Sequence, residues 1–198
     1  DQHAVQFPEP VYTYRLARNA VYATPTLALV YMSLTTPTTV YGYDMDARRF
    51  DLIKRDEVIG YNPDDYITER LWATARDGAK VPLSIVYKRG VPRDGSAPLL
   101  MYAYGSYGSG LSPTFSSERL SLLDRGMIFC IAHVRGGTEL GEPWRDAGML
   151  MNKKNTFHDF IDCAEYLVKE KWTNPQRLAI EGYSAGGLLM GVVVNERP

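Results

Sequence analysis

The fold is decided by the stretch LAIEGYSAGGLLMG, residues 178–191. It holds the pattern G-x-S-x-G at residues 182–186, with a strand pattern at residues 178–180 before it and a helical pattern from Leu188 onward. A serine at a sharp turn between a strand and a helix projects its hydroxyl above the sheet, and small flanking residues let the two elements approach. We therefore predict that Ser184 is a nucleophile; a simple tight turn is the alternative interpretation.

A serine nucleophile needs donors for the oxyanion and a base. The N–H of Ala185, at the start of the following helix, is the expected first oxyanion donor. All three histidines, His3, His133 and His158, precede Ser184, whereas the catalytic base of an α/β-hydrolase follows its nucleophile. We expect His133 to be a structural hydrogen-bonding residue and His158 to be solvated or to cap a helix. The triad base is therefore missing, and we expect the chain to be part of a longer protein and inactive alone.

Strand and helix patterns alternate upstream of this turn. Strands are predicted at residues 98–104 and 127–132, and helices at residues 116–124 and 156–171. Strands joined by helices usually lie parallel, so this order predicts an α/β sheet, mostly parallel, with crossover helices. Before them, residues 71–87 predict a hairpin that turns at an Asp-Gly pair.

The helix at residues 156–171 has the clearest pattern, because its apolar residues recur at steps of three and four. Thr156, followed three residues later by Asp159, is similar to a capping box and predicts that the helix begins at Thr156.

Residues 1–60 predict a β-meander instead. Short strand patterns at residues 27–32, 40–43 and 49–53 are separated by polar turns. This spacing is typical of a sheet stack or one propeller blade, and a small antiparallel sheet attached to another domain is the alternative. Residues 61–66, rich in turn formers, are the expected linker to a second domain.

The loop at residues 104–110, Tyr-Gly-Ser-Tyr-Gly-Ser-Gly, follows a predicted buried strand. It has neither the lysine nor the glycine spacing of a phosphate-binding loop. Its place upstream of Ser184 suits a loop that completes an oxyanion hole, and a plain glycine-rich turn is an equal alternative. We predict no cofactor and no metal.

Composition limits the remaining possibilities. The 198 residues are 45% hydrophobic and 23% charged with a net charge of −1, so we expect neither nucleic acid nor a membrane as a partner. The two cysteines, Cys130 and Cys163, lie in apolar surroundings and are expected to be buried free thiols. A reducing compartment, the cytoplasm, fits this cysteine usage. The sequence gives no indication of the oligomeric state.

Several segments together resemble the prolyl oligopeptidase family of serine peptidases, most closely its oligopeptidase B branch. The segments are YGSYG (104–108), SLLDRG (121–126), AHVRGG (132–137), KNTF (154–157) and GYSAGGLLMG (182–191), with SLTTP (33–37) and ERLWATARDG (69–78) upstream. The resemblance implies a serine-type oligopeptidase that cleaves short peptides after Arg or Lys. It implies a partial α/β-hydrolase fold at residues 61–198, preceded by the last strands of a β-propeller at residues 1–60.

The resemblance also assigns roles to individual residues. Ser184 is the implied nucleophile, and the Tyr104 hydroxyl with the Ala185 N–H is the implied oxyanion hole. Tyr107 is expected to line the pocket for the residue before the scissile bond. The family's catalytic Asp and His are expected beyond Pro198.

Two features depart from the oligopeptidase B pattern. Ser112 and Ser116 stand where acidic residues often favour a second basic residue, so these positions give no support for a preference for paired basic residues. Glu139 is acidic and near the substrate segment; a surface or hydrogen-bonding role and a substrate contact are equal alternatives. An acylaminoacyl-peptidase or esterase on the same fold, or a non-catalytic binding module, is the alternative function.

Overall fold

Four antiparallel strands in chain order form the first sheet of the computed structural model, which describes residues 2–198. The strands are β1 (Tyr12–Leu16), β2 (Thr26–Ser33), β3 (Thr39–Asp44) and β4 (Arg49–Arg55). The three predicted strands correspond to β2, β3 and β4. Sequence analysis missed β1, which pairs with β2 from Tyr12↔Ser33 to Leu16↔Leu29. The strand signal was present in the sequence, because Tyr12, Tyr14 and Leu16 alternate with the polar residues Thr13 and Arg15.

The second sheet has five strands in the order β5-β6-β8-β7-β9. Their bounds are β5 (Tyr66–Thr74), β6 (Lys80–Lys88), β7 (Leu99–Tyr102), β8 (Ile128–Ala132) and β9 (Leu178–Glu181). The predicted hairpin is the β5–β6 pair, and a short 3₁₀ turn at Pro63–Asp65 precedes it.

The sequence predicted a mostly parallel sheet, and this prediction was wrong because only half of the strand pairings are parallel. β7 lies parallel to both β8 and β9, but β6 runs antiparallel to β8 as well as to β5. The sheet is therefore mixed, with two parallel and two antiparallel pairings. The reason is that no helix lies between β6 and β7, so this connection is not a helical crossover.

Four α-helices accompany the second sheet: α1 (Ser117–Leu123), α2 (Glu142–Asp146), α3 (Lys154–Lys169) and α4 (Ala185–Glu196). The predicted start of α3 at Thr156 was wrong by two residues. Thr156 does not cap the helix; its hydroxyl donates to the carbonyl oxygen of Arg135 at 2.7 Å. Asp159 instead binds the guanidinium of Arg135, so both polar side chains serve tertiary contacts. The start of α4 also lies earlier than predicted, at Ala185 rather than Leu188.

Side chains on the two faces of the second sheet enter different cores. On β6, Ile85 belongs to the core beneath α3 and α4, whereas the adjacent Val86 belongs to the core beneath α1. The core beneath α1 also includes Val11 and Leu34, which flank strands of the first sheet. The two sheets therefore share one buried cluster.

Three further features concern the cysteines, the helices and the metal-ligating side chains. Cys130 and Cys163 are buried free thiols, as expected, and burial raises the pKa of each. Within residues 2–198, every helix is too short or too polar to cross a bilayer. The same residues contain no cluster of three or more His, Cys, Asp or Glu side chains able to hold a metal ion.

Candidate active site

Ser184 lies on the turn that joins β9 to α4, and its side chain is exposed. Its backbone has φ 54° and ψ −116°, a conformation that side-chain-bearing residues rarely adopt. The carbonyl oxygen of Ser184 accepts hydrogen bonds from the N–H groups of Gly187 (2.9 Å) and Leu188 (3.3 Å), which hold the first turn of α4. The serine is thus presented at the helix N-terminus in a strained conformation of the kind that concentrates at functional sites.

Two glycines make this turn possible. A Cβ on Gly182 would overlap the carbonyl oxygen of Gly186. A Cβ on Gly186 would lie only 2.7 Å from the carbonyl oxygen of Ala103, just beyond β7. The turn is therefore packed directly against the end of the neighbouring strand, and only glycine fits both positions without a backbone shift.

Ala185 is the first residue of α4. Its backbone N–H has no hydrogen-bond acceptor among residues 2–198, as the first N–H groups of a helix have none within the helix. The next N–H, of Gly186, donates to the carbonyl oxygen of Tyr183 at 2.8 Å. Ala185 therefore offers a free donor beside Ser184, where the positive end of the helix dipole favours a developing negative charge.

Tyr104 lies two residues beyond the end of β7 and is half-buried. β7 and β9 are parallel neighbours, in register at Tyr102↔Glu181, so the residues that follow them meet at one edge of the sheet. The Cβ position of Gly186 is 3.5 Å from the Cα of Tyr104. The structure thus brings the backbone of Tyr104 against the turn that carries Ser184.

The loop that follows Tyr104 is fixed by its own hydrogen bonds. The N–H of Gly108 donates to the carbonyl oxygen of Gly136 at 2.9 Å, and the Thr138 hydroxyl donates to the carbonyl oxygen of Gly108 at 2.9 Å. At Gly105 φ is +64°, and a Cβ there would overlap the methyl group of Thr156. The loop is an ordered, tightly packed segment.

A cavity of about 400 Å³ lies beside the turn and the loop. It is lined by Ser106, Tyr107, Arg145, Gly148, Met149, Leu150, Lys153, Ala185 and Leu188. Tyr107 and Ala185, two predicted site residues, therefore meet in one cavity. Tyr107 (φ 58°) and Leu150 (φ 50°) both have left-handed backbone conformations.

Sequence reasoning did not single out the cavity residues Arg145, Leu150 and Lys153. Lys153 directly precedes the KNTF segment, which was a usable signal. Leu150 and Arg145 lie in a stretch without periodicity, and only the folded chain brings them here.

His133 has the structural role that the sequence predicted. It is buried; its Nε2 lies 2.6 Å from the Ser84 hydroxyl and its Nδ1 lies 3.4 Å from Oε1 of Glu139. Burial, together with the positive charge of Arg70, lowers the pKa of His133, although the Glu139 carboxylate opposes this. The imidazole is therefore neutral at physiological pH.

Glu139 is largely buried and hydrogen-bonded, so the predicted hydrogen-bonding role is confirmed and a surface position is not. Its Oε1 also accepts from the backbone N–H of Leu111 at 2.8 Å. Burial raises the pKa of Glu139, but the hydrogen bonds from His133 and Leu111 outweigh this and hold it below its usual value. The carboxylate also lines a separate cavity of about 580 Å³ between the two sheets, together with Ser112.

The other two histidines lie elsewhere. His158 is on the first turns of α3, with its Nε2 3.8 Å from a carboxylate oxygen of Glu196. His3 hydrogen-bonds the Tyr43 hydroxyl at 2.9 Å in the first sheet. Within residues 2–198, no imidazole is hydrogen-bonded to Ser184.

Comparison with known proteins places these features in a family. The sequence profile described as the prolyl oligopeptidase family matches residues 113–198. The chain is therefore similar to that family over these residues. It is 48% identical, over 98% of its length, to dipeptidyl aminopeptidase BI of Pseudoxanthomonas mexicana, and 42% identical, over 96%, to protease 2 of Moraxella lacunata.

A solved structure of oligopeptidase B from Leishmania major is similar to this chain over 98% of its length, with a TM-score of 0.87 and 45% sequence identity. The chain spans 27% and 28% of the two curated relatives and 28% of the solved chain. It thus corresponds to about a quarter of these proteins.

Proposed function

We propose that the protein containing this chain is a serine peptidase that hydrolyses short peptides through an acyl-enzyme on Ser184. The observation that carries the proposal is the exposed Ser184 on its strained turn, next to the free N–H of Ala185. This arrangement supplies a nucleophile and an oxyanion donor within one residue of each other.

The reaction follows from these positions. The Ser184 Oγ attacks the scissile carbonyl carbon and loses its proton to a base. The carbonyl oxygen becomes an oxyanion that accepts hydrogen bonds from the Ala185 N–H and the Tyr104 hydroxyl. The C–N bond then breaks, the leaving amine takes the proton from the base, and an acyl-serine ester forms. Water, activated by the same base, hydrolyses this ester and restores the Ser184 hydroxyl.

The base and its acidic partner belong, in this proposal, to parts of the protein outside these 198 residues. The positions of the three histidines support this, because His133 is enclosed by Ser84 and Glu139 while His3 and His158 face other elements. The 198-residue chain alone is accordingly proposed to be inactive.

The architecture proposed for the whole protein is a β-propeller joined to an α/β-hydrolase domain. Residues 1–60 would supply the last propeller strands and residues 61–198 the first part of the hydrolase. The four-stranded antiparallel meander and the mixed sheet after it support this division. We also propose a cytoplasmic location, which the two buried free thiols support.

Short peptides cleaved after Arg or Lys are the proposed substrates. The likeness to oligopeptidase B from Leishmania major supports this class. A second candidate is the release of dipeptides from a free N-terminus, which the 48% identity to a dipeptidyl aminopeptidase favours. Both reactions use the same nucleophile, so they differ only in whether the substrate's N-terminus must be free.

The test is hydrolysis of a chromogenic peptide amide ending in Arg by the full-length protein, with Ser184→Ala and the distant helix variant Ser121→Ala as a matched control. We expect Ser184→Ala to abolish turnover and Ser121→Ala to leave it unchanged. Equal turnover in Ser184→Ala would refute the proposal. Comparing the peptide with and without an N-terminal blocking group then separates the two candidates, since dipeptide release requires the free amine.

A further inference from the structure

Lys153 lies immediately before α3, with its side chain half-buried beneath the loop that follows Tyr104. Its Nζ donates to the carbonyl oxygen of Gly105 at 2.5 Å and to the hydroxyl of Ser106 at 2.7 Å. A third, longer contact of 3.4 Å joins Nζ to the hydroxyl of Thr156. Three acceptors thus surround one ammonium group.

These contacts provide an acceptor for every N–H group of the Lys153 ammonium. An ammonium group has three N–H donors and no acceptor, so three acceptors satisfy it completely. Burial lowers the pKa of Lys153, and no carboxylate within residues 2–198 forms an ion pair with it. Although Lys153 lines the cavity, its protons are directed at the loop rather than left free for a ligand.

The acceptor on α3 is itself held in place. The Thr156 hydroxyl is anchored by donation to the carbonyl oxygens of Arg135 (2.7 Å) and Gly148 (3.2 Å). Gly105, by contrast, belongs to the loop and follows Tyr104 directly. Lys153 therefore ties the Gly105–Ser106 peptide unit to the fixed start of α3.

We propose that Lys153 is a positioning residue for catalysis, because its ammonium group holds the Gly105–Ser106 segment and thereby fixes the adjacent Tyr104, whose hydroxyl is the proposed second oxyanion donor. This inference rests on the proposed function. The effect acts through Tyr104 on the oxyanion, which exists only after attack on the carbonyl. Loss of Lys153 thus weakens binding of the transition state and leaves binding of the ground-state substrate unchanged.

The test uses Lys153→Met in the full-length protein, with Lys154→Met as the matched control, since Lys154 is the adjacent exposed lysine. We expect kcat for a peptide amide to fall about 10²-fold in Lys153→Met, the size of effect that follows misplacement of a reacting group by about 1 Å. KM is expected to stay unchanged, and Lys154→Met to match the unsubstituted protein in both constants.

Hydrogen exchange provides a readout that needs no activity. Without Lys153, the N–H groups of Gly108 and Ser109, which are hydrogen-bonded in the folded loop, should exchange faster in the absence of substrate. The variant Ser106→Ala, which removes one acceptor and keeps the ammonium, should shift kcat and exchange in the same direction by smaller amounts. It also tests the proposal if Lys153→Met does not fold.

Three results would overturn the proposal: unchanged exchange of the loop, faster exchange with unchanged kcat, or a raised KM at constant kcat, which would mean that Lys153 touches substrate instead. An unsubstituted protein without Ser184-dependent turnover would refute the proposed function, and the exchange comparison would still decide whether Lys153 holds the loop.

Discussion

At the scale of single residues, the site depends on how closely the turn at Ser184 approaches the end of β7. Gly186 lies at this contact, since a Cβ on it would be only 2.7 Å from the carbonyl oxygen of Ala103. The G-x-S-x-G pattern predicted the turn and the need for small residues. It did not identify Ala103 as the neighbour, because that contact joins positions far apart in the sequence.

Gly186→Ala is predicted to lower the free energy of unfolding of the full-length protein by about 1–3 kcal/mol, since the new methyl group forces a backbone shift. Gly191→Ala in the same helix is the matched control, because within residues 2–198 the new Cβ meets no atom within 4 Å apart from its chain neighbours and the helix's own backbone. It should be neutral or stabilising by up to about 1 kcal/mol, because alanine is the better helix former. Denaturant unfolding measures both, and equal effects would contradict the close approach seen at Gly186.

Tyr104→Phe removes only the hydroxyl proposed to bind the oxyanion. We predict that kcat falls by about 10²–10³, as for the loss of one oxyanion donor, while KM is unchanged. Tyr102→Phe, two residues earlier and within β7, is the control and should retain full kcat. Steady-state kinetics with a peptide amide measure both constants. A decrease in kcat of less than about tenfold in Tyr104→Phe would show that Tyr104 is not an oxyanion donor.

His133 gives the protein a predicted pH dependence of stability. Its pKa in the folded protein lies below the usual 6.5, so below that pH the unfolded chain binds a proton that the folded chain does not. The contribution of His133 to the free energy of unfolding is therefore complete above pH 6.5 and decreases as the pH falls towards the lowered pKa. Ser84, Glu139 and Arg70 are the groups that interact with this imidazole.

The measurement is the Tm of the full-length protein at about pH 8 and about pH 5. We expect the unsubstituted protein to lose more Tm on acidification than His133→Gln, which cannot take up the proton. An identical loss in both proteins would show that His133 does not contribute to this dependence.

At the scale of elements, α3 shows how tertiary contacts override local signals. Thr156 and Asp159 have the spacing of a capping pair, yet both bind the segment at Arg135 instead. The apolar spacing correctly predicted the helix, because one face must be buried wherever it packs. Its start was not predictable, because the competing acceptor and cation come from the segment after β8, about twenty residues earlier.

Asp159→Asn is predicted to be strongly destabilising. The Asp159 carboxylate is fully buried and lies 2.6 Å from the Arg135 guanidinium, so the substitution leaves this cation paired only with the half-exposed Asp77 carboxylate. Removing one member of a buried pair costs about 3–5 kcal/mol. Glu142→Gln, which weakens the exposed Arg145–Glu142 pair, should cost at most about 1 kcal/mol. Comparable decreases in the free energy of unfolding in the two variants would contradict this account.

At the scale of the whole molecule, the two sheets and the order of their elements were largely predictable from the sequence. Continuous apolar runs identified β7 and β8, and the glycine pattern identified the β9–α4 turn. Strand direction was less predictable: the antiparallel β6–β8 pairing joins strands that are not adjacent in the sequence, and no local pattern encodes it. The cavity beside Tyr107 likewise depends on residues from three separate segments.

The central claim is that Ser184 is the nucleophile of a serine peptidase, and its most direct test is covalent capture. The full-length protein is treated with a fluorophosphonate, which reacts with activated serines, and the modified peptide is located by mass spectrometry. We predict one adduct, on Ser184, formed in parallel with the loss of peptide hydrolysis and absent from Ser184→Ala. An adduct on a different residue, or full hydrolysis by protein modified at Ser184, would contradict the claim.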